Sequence, residues 1–539
     1  MKNIIIKSSI ANNYTPTVMA ALASIKASGG GCIEFEKGEF HFYKEGSLKT
    51  FFAVSNNTPC DKHVVFPIFN MKNVKIKGNG AAFVFHETVF PFAIMDSEDV
   101  ELSEFSVDTG VSPIGFYKVG EKTEEGFYLH FDRKENPYRI ESGSIIFKRE
   151  NGELSGRNKK FDLHGISKWG VQYLFTGDCC ASRDNLPAKH ISTNVEQRGN
   201  ELFFKYKEDN IYPLMYPTGA SISILFEERN SDVIFLHKSK NTLVKNITVR
   251  RGVGMGIIAQ LSENIEIAGF KTDENYHGIG ATLTADSMHF VNCSGSLNIH
   301  DCEITHTMDD IINVHGMYTR IKEIIGNIVT VEIGHYEQYY FNPYICGDTV
   351  KSLSGEGFEY TSEMKIIDSS LSDDGKTIRL KVEVVCGKAD VNDLIESPYR
   401  MPNVHVFNNK FFHYPNIRLS GAGDILVENN SFEYAISALV VKDLAKYWYE
   451  SGRVKNLVFR NNTMKDCNKL AGNAFIIIDV PGVEREKTPK IHDHIEITNN
   501  RFEGIQDKAI IAAGVQDLII KENVFVNGSA KVIEIDGKA

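Results

Sequence analysis

One phrase recurs along this chain and leaves few folds open: alternating apolar residues, an asparagine pair, then an aromatic or apolar residue. Its clearest copies are Asn403-Val-His-Val-Phe-Asn-Asn-Lys-Phe411, Asp424-Ile-Leu-Val-Glu-Asn-Asn-Ser-Phe432, Asn456-Leu-Val-Phe-Arg-Asn-Asn-Thr-Met464, His494-Ile-Glu-Ile-Thr-Asn-Asn-Arg-Phe502 and Asp517-Leu-Ile-Ile-Lys-Glu-Asn-Val-Phe525. Weaker copies begin at Asn73, Asp99, Asn241, Asn264 and Leu297. Starts within unbroken runs lie 21 to 38 residues apart, with a base period of 21–26. Within a copy the apolar sites alternate, as at Ile495 and Ile497, which is the period of a strand and not of a helix. Asparagine suits the corner that follows, because it tolerates the left-handed conformation and hydrogen-bonds locally. Short strands, one corner per repeat and a period in the low twenties describe a right-handed parallel β-helix, an all-β solenoid whose coils bury their apolar face against one another. A leucine-rich repeat would share the period but needs Leu at most inward sites, where this chain has Ile, Val and Phe.

The repeat lapses twice, over 110–229 and 317–400. Hairpin signals at Glu150-Asn151-Gly152, Gly326-Asn327 and Asp373-Asp374-Gly375 predict that each gap is a small inserted antiparallel β-barrel or sandwich. The expected organisation is therefore solenoid with a capping helix over 1–109, an insert over 110–229, catalytic coils over 230–316, a second insert over 317–400, and solenoid over 401–539. The cap is expected over Thr17 to Ser28, with Thr15 as N-cap, Pro16 in the first turn and Gly29-Gly30-Gly31 as the stop. Cys32 to Phe35 and Phe40 to Tyr43 are then expected as the first strands.

Composition excludes some partners. With 59 Lys+Arg against 70 Asp+Glu, a formal charge of −11, there is no basic face for nucleic acid. No apolar run approaches the roughly 20 residues that span a bilayer, so no membrane partner is expected. The nine cysteines are irregularly spaced and suit neither a disulfide framework nor a zinc site. They are expected to be buried thiols in a reducing compartment, and the chain as written to be cytoplasmic, or secreted or periplasmic if a signal was trimmed.

A rigid rod with stacked side-chain ladders suits glycans, and hydrolysis of a glycosidic bond needs two carboxylates. The densest candidates are Asp286 in Thr284-Ala-Asp-Ser287 and the pair Asp309-Asp310, followed by Asn313-Val-His-Gly316. Asp286 and Asp310 are 24 residues apart, one period, hence on neighbouring coils. An adjacent carboxylate pair raises one pKa, a cost that turn chemistry does not require and acid catalysis uses. His277, His289 and His315 flank the region, and Tyr447-Trp448-Tyr449-Glu450 interrupts the repeat with aromatic rings suited to the apolar face of a sugar. Gly252-Val-Gly254-Met-Gly256 lies between solenoid strands and predicts close backbone packing, not a nucleotide fingerprint. His492-Asp493-His494 lacks further ligands, so no metal is assigned. No cofactor is expected either.

Together, Thr284-Ala-Asp-Ser-Met-His-Phe-Val-Asn-Cys293, Met308-Asp-Asp310 with Asn313-Val-His-Gly316, and Tyr447-Trp-Tyr-Glu-Ser-Gly452 resemble glycoside hydrolase family 110, exo-acting α-1,3-galactosidases. The resemblance implies metal-free, inverting hydrolysis of terminal α-1,3-linked galactose, as in blood group B antigen or linear Gal-α-1,3-Gal. It implies Asp286, Asp309 and Asp310 as the catalytic carboxylates, with Asp286 and Asp310 on the water side and Asp309 as proton donor, or the reverse. Substrate contacts are expected from His277, His289, Asn313, His315, Trp448 and Glu450. The implied partner is a galactose-terminated glycan, with self-association into a homodimer left open. Two other readings compete: a polygalacturonase-like hydrolase, echoed by Arg320-Ile321-Lys322, and a non-catalytic glycan-binding rod.

Overall fold

The computed structural model describes residues 2–8, 11–131, 137–141, 144–149, 231–273, 282–355, 358–412, 416–467, 474–526 and 532–538. Between 152 and 225 it describes 152–155, 163–166, 174–176, 179–181, 195–199, 201–205, 218 and 221–225. All ten copies of the phrase enter one parallel sheet in chain order. Lys72–Phe85 pairs Glu98–Thr109, and the series continues through Lys240–Lys245, Glu263–Ala268, Ser294–His300, Asn403–Phe407, Asp424–Glu428, Asn456–Arg460, His492–Thr498 and Val515–Lys521. The pairings skip both inserts, Thr109 to Lys240 and His300 to Asn403, so each insert leaves the rod and returns to the next coil. The fold is a parallel β-helix.

The corner chemistry divides between the two asparagines. The first of each pair takes positive φ, at Asn408, Asn429, Asn461 and Asn499, with Glu522 in that place in the last copy. The second, buried at Asn409, Asn430, Asn462 and Asn500 and half-buried at Asn523, stacks coil on coil. Asn409 Nδ2 donates to Asn430 Oδ1 at 2.9 Å, Asn430 to Asn462 at 3.0 Å, Asn462 to Asn500 at 3.2 Å and Asn500 to Asn523 at 3.1 Å. Each Oδ1 also accepts the backbone N–H of the asparagine before it, as Asn462 Oδ1 does from Asn430 N at 3.0 Å. Asn462→Ala strands that buried N–H and the Val427 carbonyl, which accepts from Asn462 Nδ2. A loss of about 1–3 kcal/mol is expected in urea unfolding; an unchanged midpoint would show the ladder to be decorative.

After the corner each coil makes a short strand and then crosses to a second sheet. That sheet runs Leu48–Phe52, Cys60–Phe69, Phe90–Met95, Ile234–His237, Ile257–Gln260, Met288–Val291, Ile312–Met317, Ile417–Leu419, Leu439–Lys442, Ala474–Asp479, Lys508–Ala512 and Ile533–Ile535. Phe290, Val314 and Leu419 point into the solenoid core. On the outer face, Phe235, Ile258 and Val291 join a second core with Ile321, Val331 and Leu380. Those last three belong to a closed six-stranded barrel spanning Thr319–Ile325 to Leu394–Glu396. Gly326 (φ 60) and Gly375 (φ 67) make two of its hairpin turns. The first insert contributes a six-stranded sheet from Ile114–Lys122 to Ser221–Leu225; the turn at Glu150-Asn151 lies outside the described residues.

Three expectations change. The helix is Thr15–Ala27 with Tyr14 as N-cap, because Thr15 is committed elsewhere: its hydroxyl donates to Tyr43 O at 2.8 Å. The first strand is Lys2–Ile6, paired parallel with Gly31–Phe35, its isoleucine run being the outermost solenoid strand. Among the described cysteines Cys293, Cys302 and Cys467 are buried, but Cys346 and Cys386 are exposed on the barrel segment, where no solenoid core exists to take them.

Candidate active site

Along the outward row of the second sheet, register sets Phe235, Ile258, His289, Asn313, Arg418, Val440, Ile477 and Ile511 side by side on successive coils. Three consecutive polar residues interrupt an otherwise apolar row. The turns entering these strands carry the carboxylates. Ser287 N donates to Asp310 O at 2.9 Å, which fixes Asp286 and Asp310 on neighbouring coils about 4.8 Å apart along the axis. Gly256 makes the approach of the preceding coil possible, since a Cβ there would stand 2.6 Å from Ser287 O. At Gly254 a Cβ would stand 2.5 Å from Asp232 Oδ1, so this glycine run serves close packing.

The ionisable groups form a circuit. Asp286 Oδ2 lies 2.6 Å from His289 Nδ1, and His289 Nε2 lies 2.8 Å from His315 Nε2. His315 Nε2 is 3.6 Å from Glu450 Oε1, and Glu450 Oε2 accepts from Arg418 Nη1 at 3.3 Å. Arg418 Nε closes the circuit at 3.3 Å from Asp310 Oδ2, while Asn416 Nδ2 donates to Asp310 Oδ1. Asp286, Asp310, His289, His315 and Glu450 are all buried, and Asp309 is half-buried with its Oδ1 accepting from Asp310 N at 3.2 Å.

Burial pushes Asp310 well above the usual carboxylate range despite Arg418, and the charges of Asp309, Asp286 and Glu450 add to the rise. Burial alone would raise Glu450 too, but His315 and Arg418 hold it below its ordinary value. Burial works against the Arg418 charge, yet Asp310 and Glu450 outweigh it and keep the guanidinium firmly protonated. One guanidinium thus stands 3.3 Å from each of two carboxylates, Glu450 held low and Asp310 raised.

No family model matches the chain. Similar proteins are found along nearly its whole length. An α-1,3-galactosidase A of Shewanella woodyi is 29% identical over 531 residues, covering 95% of this chain and 83% of that protein. An α-1,3-galactosidase B of Akkermansia muciniphila is 25% identical over 537 residues, covering 96% of this chain and 64% of that protein. Along nearly its whole length, then, the chain is similar to proteins named α-1,3-galactosidases. Among solved structures it is similar to the A-module of mannuronan C-5 epimerase AlgE4 of Azotobacter vinelandii, with 9% identity, a TM-score of 0.43, and coverage of 98% of this chain and 94% of that one.

The interrupting loop does two jobs. Glu450 is drawn into the circuit because Glu450–Ser451 pairs antiparallel with Gly316 and Met317. Trp448 stays at the rim, half-buried, its ring 4.3 Å from that of His335 of the second insert. Gln338, also from that insert and fully buried, donates to Trp448 O at 2.8 Å. The structure brings together Asp286, Asp309, Asp310, His289, Asn313, His315 and Glu450. His277 lies outside the described residues. Arg418, Asn416 and Asn56 were missed by sequence reasoning; Asn56 Nδ2 donates to Glu450 Oε1 at 3.1 Å from a turn 394 positions away. The Arg320-Ile321-Lys322 triplet is spent on the barrel: Arg320 Nη1 donates to Asn392 O and Lys322 pairs with Glu332. Of the histidine doublet, His492 Nδ1 accepts from Val454 N and His494 pairs with Asp517.

Proposed function

We propose that this chain is an exo-acting glycoside hydrolase that removes terminal, non-reducing α-1,3-linked galactose from glycans, with inversion at the anomeric carbon. The observation that carries the reading is relationship to proteins named α-1,3-galactosidases over about 95% of the chain, barrel included. The site supplies what inversion requires, a water-activating carboxylate and a separate proton donor. Asp286 is the base: it takes a proton from water as the water oxygen attacks the anomeric carbon. Asp310, its proton affinity raised by burial and its acidic neighbours, holds that water. Asp309, the most exposed of the three, donates its proton to the departing glycosidic oxygen. Asn313 Oδ1 is buried without a hydrogen-bond partner among the described residues, suited to a galactose hydroxyl. Trp448 and Tyr447 at the rim offer ring faces to the sugar.

The test is proton NMR of the protein with Gal-α-1,3-Gal, the branched B trisaccharide, α-1,4 and α-1,6 digalactosides and polygalacturonate. Early β-galactose from the α-1,3 substrates alone is expected. Early α-galactose would overturn inversion, cleavage of polygalacturonate alone would overturn the substrate class, and binding without turnover would leave a glycan-binding rod.

A further inference from the structure

Ring contacts fix where protons sit beneath the carboxylates. His315 Nδ1 lies 2.7 Å from the Gly316 carbonyl oxygen, which only accepts, so Nδ1 carries a hydrogen. Burial pushes the His315 imidazole down to about 4, so the ring rests neutral with a lone pair on Nε2. His289 Nε2, 2.8 Å away, is then the donor. Its other nitrogen faces Asp286 Oδ2 at 2.6 Å, a separation that requires a hydrogen between them. Asp286 and His289 together therefore hold one proton more than a carboxylate beside a neutral ring.

We infer that His289 and His315 form a proton-holding pair behind Asp286, with the charge resting on His289 and passing to His315 as Asp286 takes the proton of the attacking water. This rests on the reading of Asp286 as base. Both histidines are buried and act through Asp286, so they are positioning residues. In the step, the His289 Nε2–H bond breaks and a His315 Nε2–H bond forms, leaving the electron pair on His289 Nε2 to accept from it. Asp286 gains the water's proton at its other oxygen, the water oxygen bonds to the anomeric carbon, and the glycosidic oxygen leaves with the proton of Asp309. Protons balance with no outside donor.

Among the charges around His315, Glu450 of the interrupting loop, 3.6 Å away, favours a proton there, while Arg418 on the next coil opposes it. Asp310 and Asp309 lie on the turn entering the strand of His315, and Asp286 on the turn entering that of His289. Moving the charge one ring towards Glu450 takes it away from Asp286, so the base strengthens as its proton arrives.

His289→Asn tests this, because its amide places an N–H where Nδ1 stood but cannot carry charge. A neighbouring cation holds a carboxylate down by about 1–3 pH units, so its loss moves the acid limb of kcat/KM to higher pH by that amount, with KM little changed. A loss of rate that is uniform with pH, the limb unmoved, would show a packing role and overturn the inference. In 15N-histidine-labelled wild-type protein, an imidazolium signal is expected to persist at pH 8. Its absence would overturn the inference even if the variant failed to fold. If wild-type protein cleaves no galactoside, the functional reading falls; if it cleaves and the limb stays put, the histidine pair alone falls.

Discussion

Asp309→Asn is expected to cut turnover of Gal-α-1,3-Gal by about 10²–10⁴-fold, while an aryl α-galactoside with an acidic phenol leaving group is cleaved at close to the wild-type rate. A departing sugar hydroxyl must be protonated as its bond breaks, whereas an acidic phenol leaves as the anion and needs no donor. Asp286→Asn should give the opposite pattern: both substrates slow alike, since the missing function is deprotonation of water. Azide, a nucleophile with no proton to lose, should restore that variant and yield β-galactosyl azide. Asn is isosteric with Asp and Asp309 is half-buried, so the fold should persist. If Asp310→Asn and not Asp309→Asn shows the leaving-group pattern, the proton donor is Asp310 and the assigned roles exchange.

The coils were legible because their physics is local. Strand alternation and the asparagine corner lie within nine residues, and each Asn pair announces both the positive-φ turn and the ladder. Asp286 and Asp310 were legible for a related reason: one solenoid period apart means one coil apart. What failed was everything whose partner lay across an insert. Arg418 follows the barrel, and only when 317–400 is excised does it fall 21 positions after Asn313, one period, beside which register sets it. Asn56 carries no periodic signal, and reaches Glu450 through a turn that only the closed solenoid brings near. The sheet that carries the site gave no such signal. The phrases mark the first sheet, whereas the site lies on the second, where both faces of Met288–Val291 are buried and alternation vanishes. A strand covered on one side by the core and on the other by a barrel reads as a plain apolar run.

Arg418→Met should be strongly destabilising, and the deficit should grow with pH. Its side chain is 20% exposed and sits between Glu450 and Asp310, whose side chains are 4% and 5% exposed. Removing one member of a buried ionic cluster costs about 3–5 kcal/mol, because the remaining charge has lost its compensation and cannot reach water. In the natural chain Glu450 is held below its ordinary pKa, so it contributes stability above that value, and the contribution is lost as pH falls through the lowered one. Without Arg418, burial is opposed by His315, His289 and Asn56 alone, and Glu450 rises from its lowered value. The stability that ionised Glu450 contributes at higher pH shrinks accordingly in the variant. Urea unfolding at pH 5 and pH 8 measures this directly. The deficit relative to the natural chain should be larger at pH 8 than at pH 5, where proton uptake by the two carboxyls eases the demand on a cation. A deficit equal at both values would mean that Arg418 acts by packing alone, and the coupling of Glu450 to Asp310 would have to be abandoned.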